Sequence, residues 1–373
     1  MKKLTLAATA VAAIAALALT GCSGDRGGSS GGGDETTSAG FAADSTIGVA
    51  LPDKTSENWV LAGGLFEDGL KEAGFKGDVQ YAPASNTVAE QQNQISSMVT
   101  NGAKVIVIGA KDGKQLGTQL QQAADAGVKI IAYDRLIENT PNVDYYVAFD
   151  NFKVGQLQGQ ALLDGLAKRA GHDAPYNIEL FSGSPDDANS AVFFNGAMDV
   201  LQPKIDDGTL VVTSGQTDIA QTATQGWEAE NAQSRMDSLL AANYASANVD
   251  GVLSPNDNLA RAIITSIKQA GKDISKVTVT GQDSEVESVK SIMAGEQYST
   301  INKDTTLLVE QTINMIKQLQ AGEEVDVNDT EQYDNGVKVV PAYLLDPVIV
   351  TKENAAEAYK NNPNLLDIVN QAG

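Results

Sequence analysis

The residues best placed to do chemistry in this chain stand directly behind short apolar runs. Val128, Ile130 and Ile131 lead through Ala132 and Tyr133 into an acid and a base side by side, Asp134 and Arg135. "TIGVAL" (46–51) runs into "PDKTSENW", "KVIVIG" (104–109) into "AKDG", and residues 177–181 into "SGSPDDANS". The runs at 210–213, 249–254 and 276–280 are followed by "SGQTD", "PNDN" and "GQD". Asp and Asn accept from hydroxyls, while Asn, Arg and Lys donate to them. Side chains with paired donors or acceptors grip vicinal hydroxyls bidentately. A ligand carrying many hydroxyls and a face of C–H groups would use both these groups and an aromatic ring. The chain has two tryptophans. Trp227 sits in the polar stretch "TQGWEAEN", which reads as a loop, whereas Trp59 reads equally as a stacking face or as an ordinary helix residue. Opposite charges at a strand end are cheap only when both find partners. Asp134 and Arg135 would find them in each other's surroundings and in ligand hydroxyls, or else simply tie the loop down as an ion pair.

Other chemistries have less support. The single histidine, His172, lies in the polar stretch "KRAGHDAPY" and reads as a surface residue. G-x-S-x-G occurs only inside the glycine–serine stretch "GGSSGGG", which no strand precedes and no helix follows, and no H-E-x-x-H helix or Walker A loop is present. Carboxylates are plentiful, so a glycosidase using a carboxylate pair stays open on residue types. "DVNDTEQ" (326–332) lacks the turn glycine of a calcium loop. With one cysteine, Cys22, there is no internal disulfide and no thiolate metal site. A formal net charge of -22 argues against nucleic acid or anionic lipid as a partner.

The elements that position these residues follow from periodicity. The 373 residues are enough for two domains. Residues 1–21 carry Lys2 and Lys3 and then an alanine-rich apolar core too short to span a membrane, as in a secretory signal. Leu19-Thr20-Gly21-Cys22 resembles a bacterial lipobox, in which the cysteine is lipidated. Residues 22–44 are rich in Gly, Ser and Thr and read as a flexible tether. From Thr46 the chain alternates strand and helix with a period of roughly 25–30 residues. Helices stop at Gly74, Gly102 and Gly127, the expected C-cap chemistry. After "YYVAFD" (145–150) the rhythm restarts, which predicts two doubly wound lobes with parallel sheets. Neither series looks complete without the late segments 298–302, 305–320 and "KVVPAYLLDPVIV", so the chain is expected to cross between lobes more than once. The strand ends should converge on the cleft between them.

"AYDRLI", "FDNFKVGQLQ", "ELFSGSPDDAN", the segment from Gly281 to Thr305 and "NDTEQYDNGVKVVPAYLLDPVIVTKEN" together resemble the multiple-sugar-binding and D-xylose-binding receptors of bacterial ABC importers. These are type I periplasmic binding proteins, and the resemblance covers about residues 46–355. It implies an α/β fold of two Rossmann-like lobes joined by a three-strand hinge around an aldose. The expected division is a lipoprotein signal peptide at 1–21 and a lipidated Cys22 with tether at 22–44. An N-terminal lobe at 45–150 plus about 300–323 and a C-terminal lobe at 151–299 plus about 324–373 complete it. The resemblance carries ligand-binding roles to Asp134, Arg135, Asp187, Asn189, Trp227, Asn256, Asp257, Asp283 and Lys303. Relatives often have Arg before the tryptophan at 59 and Asn at 188; here stand Asn58 and Ala188, and Lys54 is the expected substitute donor beside Asn58 and Trp59. The implied partners are a monosaccharide (xylose, galactose, glucose or arabinose), ABC permease membrane subunits, the membrane through the lipid anchor, and optionally a sensor kinase. No nucleic acid, metal or cofactor is implied, and the chain is expected to be an exported, non-enzymatic monomer at the outer face of the cytoplasmic membrane. A lipid-anchored glycosidase is the competing function. The effector domain of a sugar-responsive repressor shares the fold, but a lipobox and tether occupy the place of its DNA-binding domain.

Overall fold

The computed structural model describes residues 40–54, 56–83 and 88–372. The expected signal peptide, Cys22 and most of the tether lie outside the described residues. The first series is β1 (Thr46–Leu51), α1 (Glu57–Glu72), β2 (Lys76–Tyr81), α2 (Val88–Thr100), β3 (Val105–Ile108), α3 (Gly117–Asp125), β4 (Lys129–Tyr133) and β5 (Tyr145–Phe149). Gly74, Gly102 and Gly127 end their helices with φ of 87°, 83° and 72°, the left-handed conformation that glycine adopts without strain.

The second series is α4 (Asn151–Arg169), β6 (Tyr176–Leu180), α5 (Ala188–Asp206), β7 (Leu210–Val212), α6 (Ile219–Thr222), α7 (Ala229–Asn243), β8 (Gly251–Leu253), α8 (Asp257–Gln269), β9 (Thr278–Val279), α9 (Val286–Met293) and β10 (Ser299–Asn302). The chain closes with α10 (Thr305–Ala321), β11 (Ala342–Leu345), β12 (Val348–Thr351), α11 (Ala355–Ala358) and α12 (Pro363–Ala372).

Among the described residues the strands form a six-stranded sheet in the order β11-β5-β4-β3-β1-β2 and a four-stranded sheet in the order β7-β6-β8-β9. Both are parallel throughout. Parallel sheets are covered on both faces, which is why their strands read as continuous apolar runs. Ile47, Val49 and Leu51 on β1 face α1 and α10, packing with Phe66, Leu70 and Ile313. Ala50 on the same strand and Ile106 and Ile108 on β3 face the other way, toward Ile95, Met98 and Leu120 of α2 and α3. In the second lobe, Gly155 of α4 and Gly196 of α5 let two helices touch backbone to backbone: a Cβ on either would overlap a carbonyl oxygen of the other helix, that of Phe193 or Phe152.

The tail departs from expectation. Residues from about 324 onward were expected in the C-terminal lobe, yet β11 pairs with β5 in the first sheet, Ala342 opposite Tyr146. It covers what would be an open edge of β5. Only then does β12 cross to pair antiparallel with β10, and Tyr359, Leu365 and Val369 pack with Val289 and Met293 of α9. The chain therefore passes between the lobes three times, after β5, after β10 and after β11. His172 is exposed, as expected, and its Nε2 lies 3.1 Å from Asp250 Oδ1, whose other oxygen accepts from the backbone N–H of Asn177.

Candidate functional site

In each sheet the chain reverses its direction of travel once, between β1 and β3 in the first and between β6 and β8 in the second. Ligand sites form outside the carboxyl ends of strands at such points. A cavity of about 120 Å³ lies there, between the lobes. One water needs about 10–15 Å³ on this scale, so the space suits on the order of ten water-sized groups.

Asp134 opens the site from β4. Its backbone is left-handed, with φ of 62°, and the Arg135 N–H returns to the Tyr133 carbonyl at 2.6 Å. This is a tight three-residue turn, rare for a non-glycine residue. It ends the strand abruptly and sets two charges on the cavity wall. Arg135 is then held from three sides. Its Nη1 donates to the Ala110 carbonyl at 3.1 Å, its guanidinium lies 5.4 Å from the Trp59 ring, and its Nε is 3.2 Å from Asp187 Oδ2 in the opposite lobe. The last contact has ion-pair distance without hydrogen-bond alignment, so the guanidinium keeps donor capacity.

Asp187 caps α5, accepting the Asn189 backbone N–H on Oδ1. Its Oδ2 accepts from Trp227 Nε1 at 3.2 Å. Trp227 follows Gly226, and both have left-handed backbones, φ 67° and 57°. The indole lies directly over Gly183, where a Cβ would overlap its six-membered ring. Asn189 donates from Nδ2 to the Asp134 carbonyl at 2.7 Å, and Tyr146 donates to its Oδ1 at 3.3 Å. It thus ties the lobes together.

Asp283, with φ of 100°, meets Lys303 Nζ at 2.9 Å. Burial pushes the Asp134 carboxyl up; Lys303 and Arg135 pull it down, and the balance stays above the ordinary value. Burial works to lower Lys303, but Asp283, Asp134 and Asp187 outweigh it and hold the ammonium charged. Asn256 caps α8 through Oδ1, and its Nδ2 has no partner among the described residues. Among the described residues the wall carries six carboxylates (Asp53, Asp134, Asp186, Asp187, Asp283, Glu285) against three cations (Lys111, Arg135, Lys303). That balance suits a neutral hydroxylated ligand and repels an anion. Among the described residues no group of acids, histidines or cysteines is arranged to hold a metal.

A model of the periplasmic binding protein domain matches residues 47–324. The chain belongs to the periplasmic binding protein family. It is 52% identical over 318 residues to the multiple sugar-binding periplasmic receptor ChvE of Rhizobium radiobacter, covering 84% of this chain and 89% of that protein. It is 34% identical over 319 residues to the D-xylose-binding periplasmic protein of Escherichia coli, covering 86% of this chain and 90% of that protein. Among solved structures, an ABC transporter solute-binding protein from Clostridium phytofermentans with bound β-D-glucose superposes with a TM-score of 0.81 at 40% identity, covering 86% of this chain and 99% of that one. These relatives are receptors and not hydrolases, and the glycosidase alternative finds no support in them.

This binding protein brings together Asn58, Trp59, Asp134, Arg135, Asp187, Asn189, Trp227, Asn256, Asp283 and Lys303 around the cavity. Two expected ligands are elsewhere. Lys54 is exposed, with Nζ 4.5 Å from the Tyr81 ring, away from the cavity lining. Asp257 is fully buried and accepts from Gln297 Nε2, the Glu285 backbone N–H and Thr300 Oγ1. As the first residue of α8 it turns back into its own lobe, where burial drives its pKa well up. Ala188 packs against the core of the first lobe and does not line the cavity, so an amide there would meet the seam between lobes and not the ligand. Trp59 is 8% exposed and packs against Tyr133, as an ordinary helix residue does, and it also forms part of the cavity wall. Several polar lining residues escaped the residue-by-residue expectation, Asp53, Lys111 and Gln282 among them. Gln282 Oε1 is buried and has no partner among the described residues. All three stand in the strand-end segments "PDKTSENW", "AKDG" and "GQD", so the general strand-end rule held the signal that the resemblance narrowed away.

Proposed function

We propose that this chain is the capture subunit of an ABC sugar importer, enclosing one aldose in the interlobe cavity and handing it to permease subunits. The observation that carries this is the convergence, from both lobes, of Asp134, Arg135, Asp187, Asp283 and Lys303 with Trp227 on the wall of one cavity. Charged donors and acceptors arranged this way match the alternating demands of ring hydroxyls, and the indole matches a C–H face. The sugars named for relatives point the same way: several sugars, xylose and glucose. In this reading Asn189 closes the lobes by bonding to the Asp134 carbonyl, and Asn256 offers its free Nδ2. A ligand that binds only the folded, closed protein at a hundred times its dissociation constant stabilises it by about 2.7 kcal/mol. Glucose, xylose, galactose and arabinose are therefore screened by thermal shift. A rise in melting temperature with at least one is expected, and no rise with any at millimolar concentration rejects the receptor function.

The lipobox-like Leu19-Thr20-Gly21-Cys22 and the tether behind it support export and lipid anchoring at Cys22. Wild-type protein is expected to sediment with membranes, and Cys22→Ser protein to appear in the soluble extracytoplasmic fraction. A Cys22→Ser variant that still sediments removes the anchor.

A further inference from the structure

Asp53 follows β1 and Lys111 follows β3, adjacent strands at the switch point of the first sheet. Lys111 Nζ lies 2.6 Å from Asp53 Oδ2, the two side chains being 21% and 5% exposed. Both form part of the cavity wall. The loop that carries Lys111 is fixed by a fully buried amide: Gln91 Oε1 accepts the Lys111 backbone N–H at 2.9 Å, and Gln91 Nε2 donates to the Gly109 carbonyl at 2.9 Å. The pair is thus a positioned feature and not a solvated surface contact.

It also stands apart from the main charge cluster. The largest charge effects on Asp134 and Lys303 come from Arg135, Asp187, Asp283 and one another. Asp53 sits two strands away from Asp134, about 10 Å at the usual strand spacing. At the end of β3, the strand between them, the edge of the Trp59 ring and Pro52 both lie close against Gly109. A pyranose ring gripped by Asp134 and Arg135 would reach this far wall only through a substituent longer than a ring hydroxyl. In an aldohexose that substituent is the exocyclic hydroxymethyl group, which donates one hydrogen bond and accepts others. Lys111 donates and Asp53 accepts.

We propose that Asp53 and Lys111 form a second recognition point that reads the hydroxymethyl group and makes this receptor prefer aldohexoses to aldopentoses; the assignment rests on the sugar-receptor function above. D-Glucose and D-xylose share their ring configuration and differ by this group, so calorimetry with both separates the pair's role from that of the rest of the site. Lys111→Met is expected to weaken glucose roughly 30-fold or more, as for loss of one partner of a buried charged pair, while xylose affinity stays within about threefold. Because Lys111→Met takes the ammonium away from a buried carboxylate, the neutral pair Asp53→Asn/Lys111→Met is measured alongside it. In that variant the glucose-to-xylose affinity ratio is expected to fall about tenfold or more. Equal losses on both sugars, or an unchanged ratio in the neutral pair, overturn the assignment. Wild-type protein that binds xylose as tightly as glucose overturns it while leaving the receptor function intact, and binding of neither removes both.

Discussion

Replacing Arg135 with methionine is expected to weaken sugar binding by about 2–5 kcal/mol, roughly 30- to several-thousand-fold, with a much smaller effect on the ligand-free protein. The guanidinium sits between the lobes, within reach of Ala110, Trp59 and Asp187. Methionine keeps much of the stem that packs on Trp59 and removes every donor. The fold tolerates this because Asp187 is not left bare: Trp227 Nε1 and the Asn189 backbone N–H still donate to it. The ligand has no such replacement, since a hydroxyl desolvated in the cleft would face a thioether. If the charges at the end of β4 served only the fold, stability would fall first and affinity would follow. Ligand-free melting and calorimetry on one preparation distinguish the two. Native affinity, or a protein already unfolded without sugar, would show that Arg135 is structural.

A single methyl group at position 183 is expected to weaken binding about as much as loss of the tryptophan that faces it. Trp227 is pinned from three directions: its backbone by Gly226 and its own left-handed φ, its Nε1 by Asp187, and its ring by the bare backbone of Gly183. A Cβ at 183 would overlap the ring and lie 2.5 Å from Ser190 Oγ. Something must shift, and Ser190 is fixed by its bond to the Ser184 carbonyl. The ring therefore leaves its stacking position. Removing an aromatic anchor typically costs about 2 kcal/mol or more of binding, roughly 30-fold, and overpacking costs about 1–3 kcal/mol of stability. Gly183→Ala and Trp227→Ala should each show a loss of this size in sugar affinity. The double variant should be no worse than either alone, because both act through one ring. Losses that add would mean the methyl group acts somewhere other than on Trp227.

Much of this protein was legible without coordinates. The two β–α series followed from apolar runs of four to six residues separated by glycine-stopped helices, because parallel strands buried on both faces have no polar alternation to hide them. Placing polar groups after each run located the cavity, because topology brings carboxyl ends of strands together whatever the side chains are. What no pattern in the sequence disclosed was the direction in which each side chain leaves the backbone. Asp134, Trp227 and Asp283 project into the cavity from left-handed backbones, a conformation that surrounding structure imposes on a non-glycine residue and that local propensity disfavours. Asn256 and Asp257 are neighbours in the chain, yet one faces the cavity and the other is sealed inside its lobe, because Asn256 is the extended N-cap and Asp257 the first helical residue, so their side chains leave the backbone in different directions. Lys54 and Lys111 have the same chemistry, and a fully buried glutamine 20 residues before Lys111 decides that only the latter reaches the site. The sequence determined the strands, the helices and the kind of groups at the strand ends, since these follow from local periodicity and composition. The partition of the tail between lobes, the pairing of Asp187 with Arg135 and the choice of which polar groups face the ligand were decided by tertiary structure, because each depends on contacts between segments far apart in the chain.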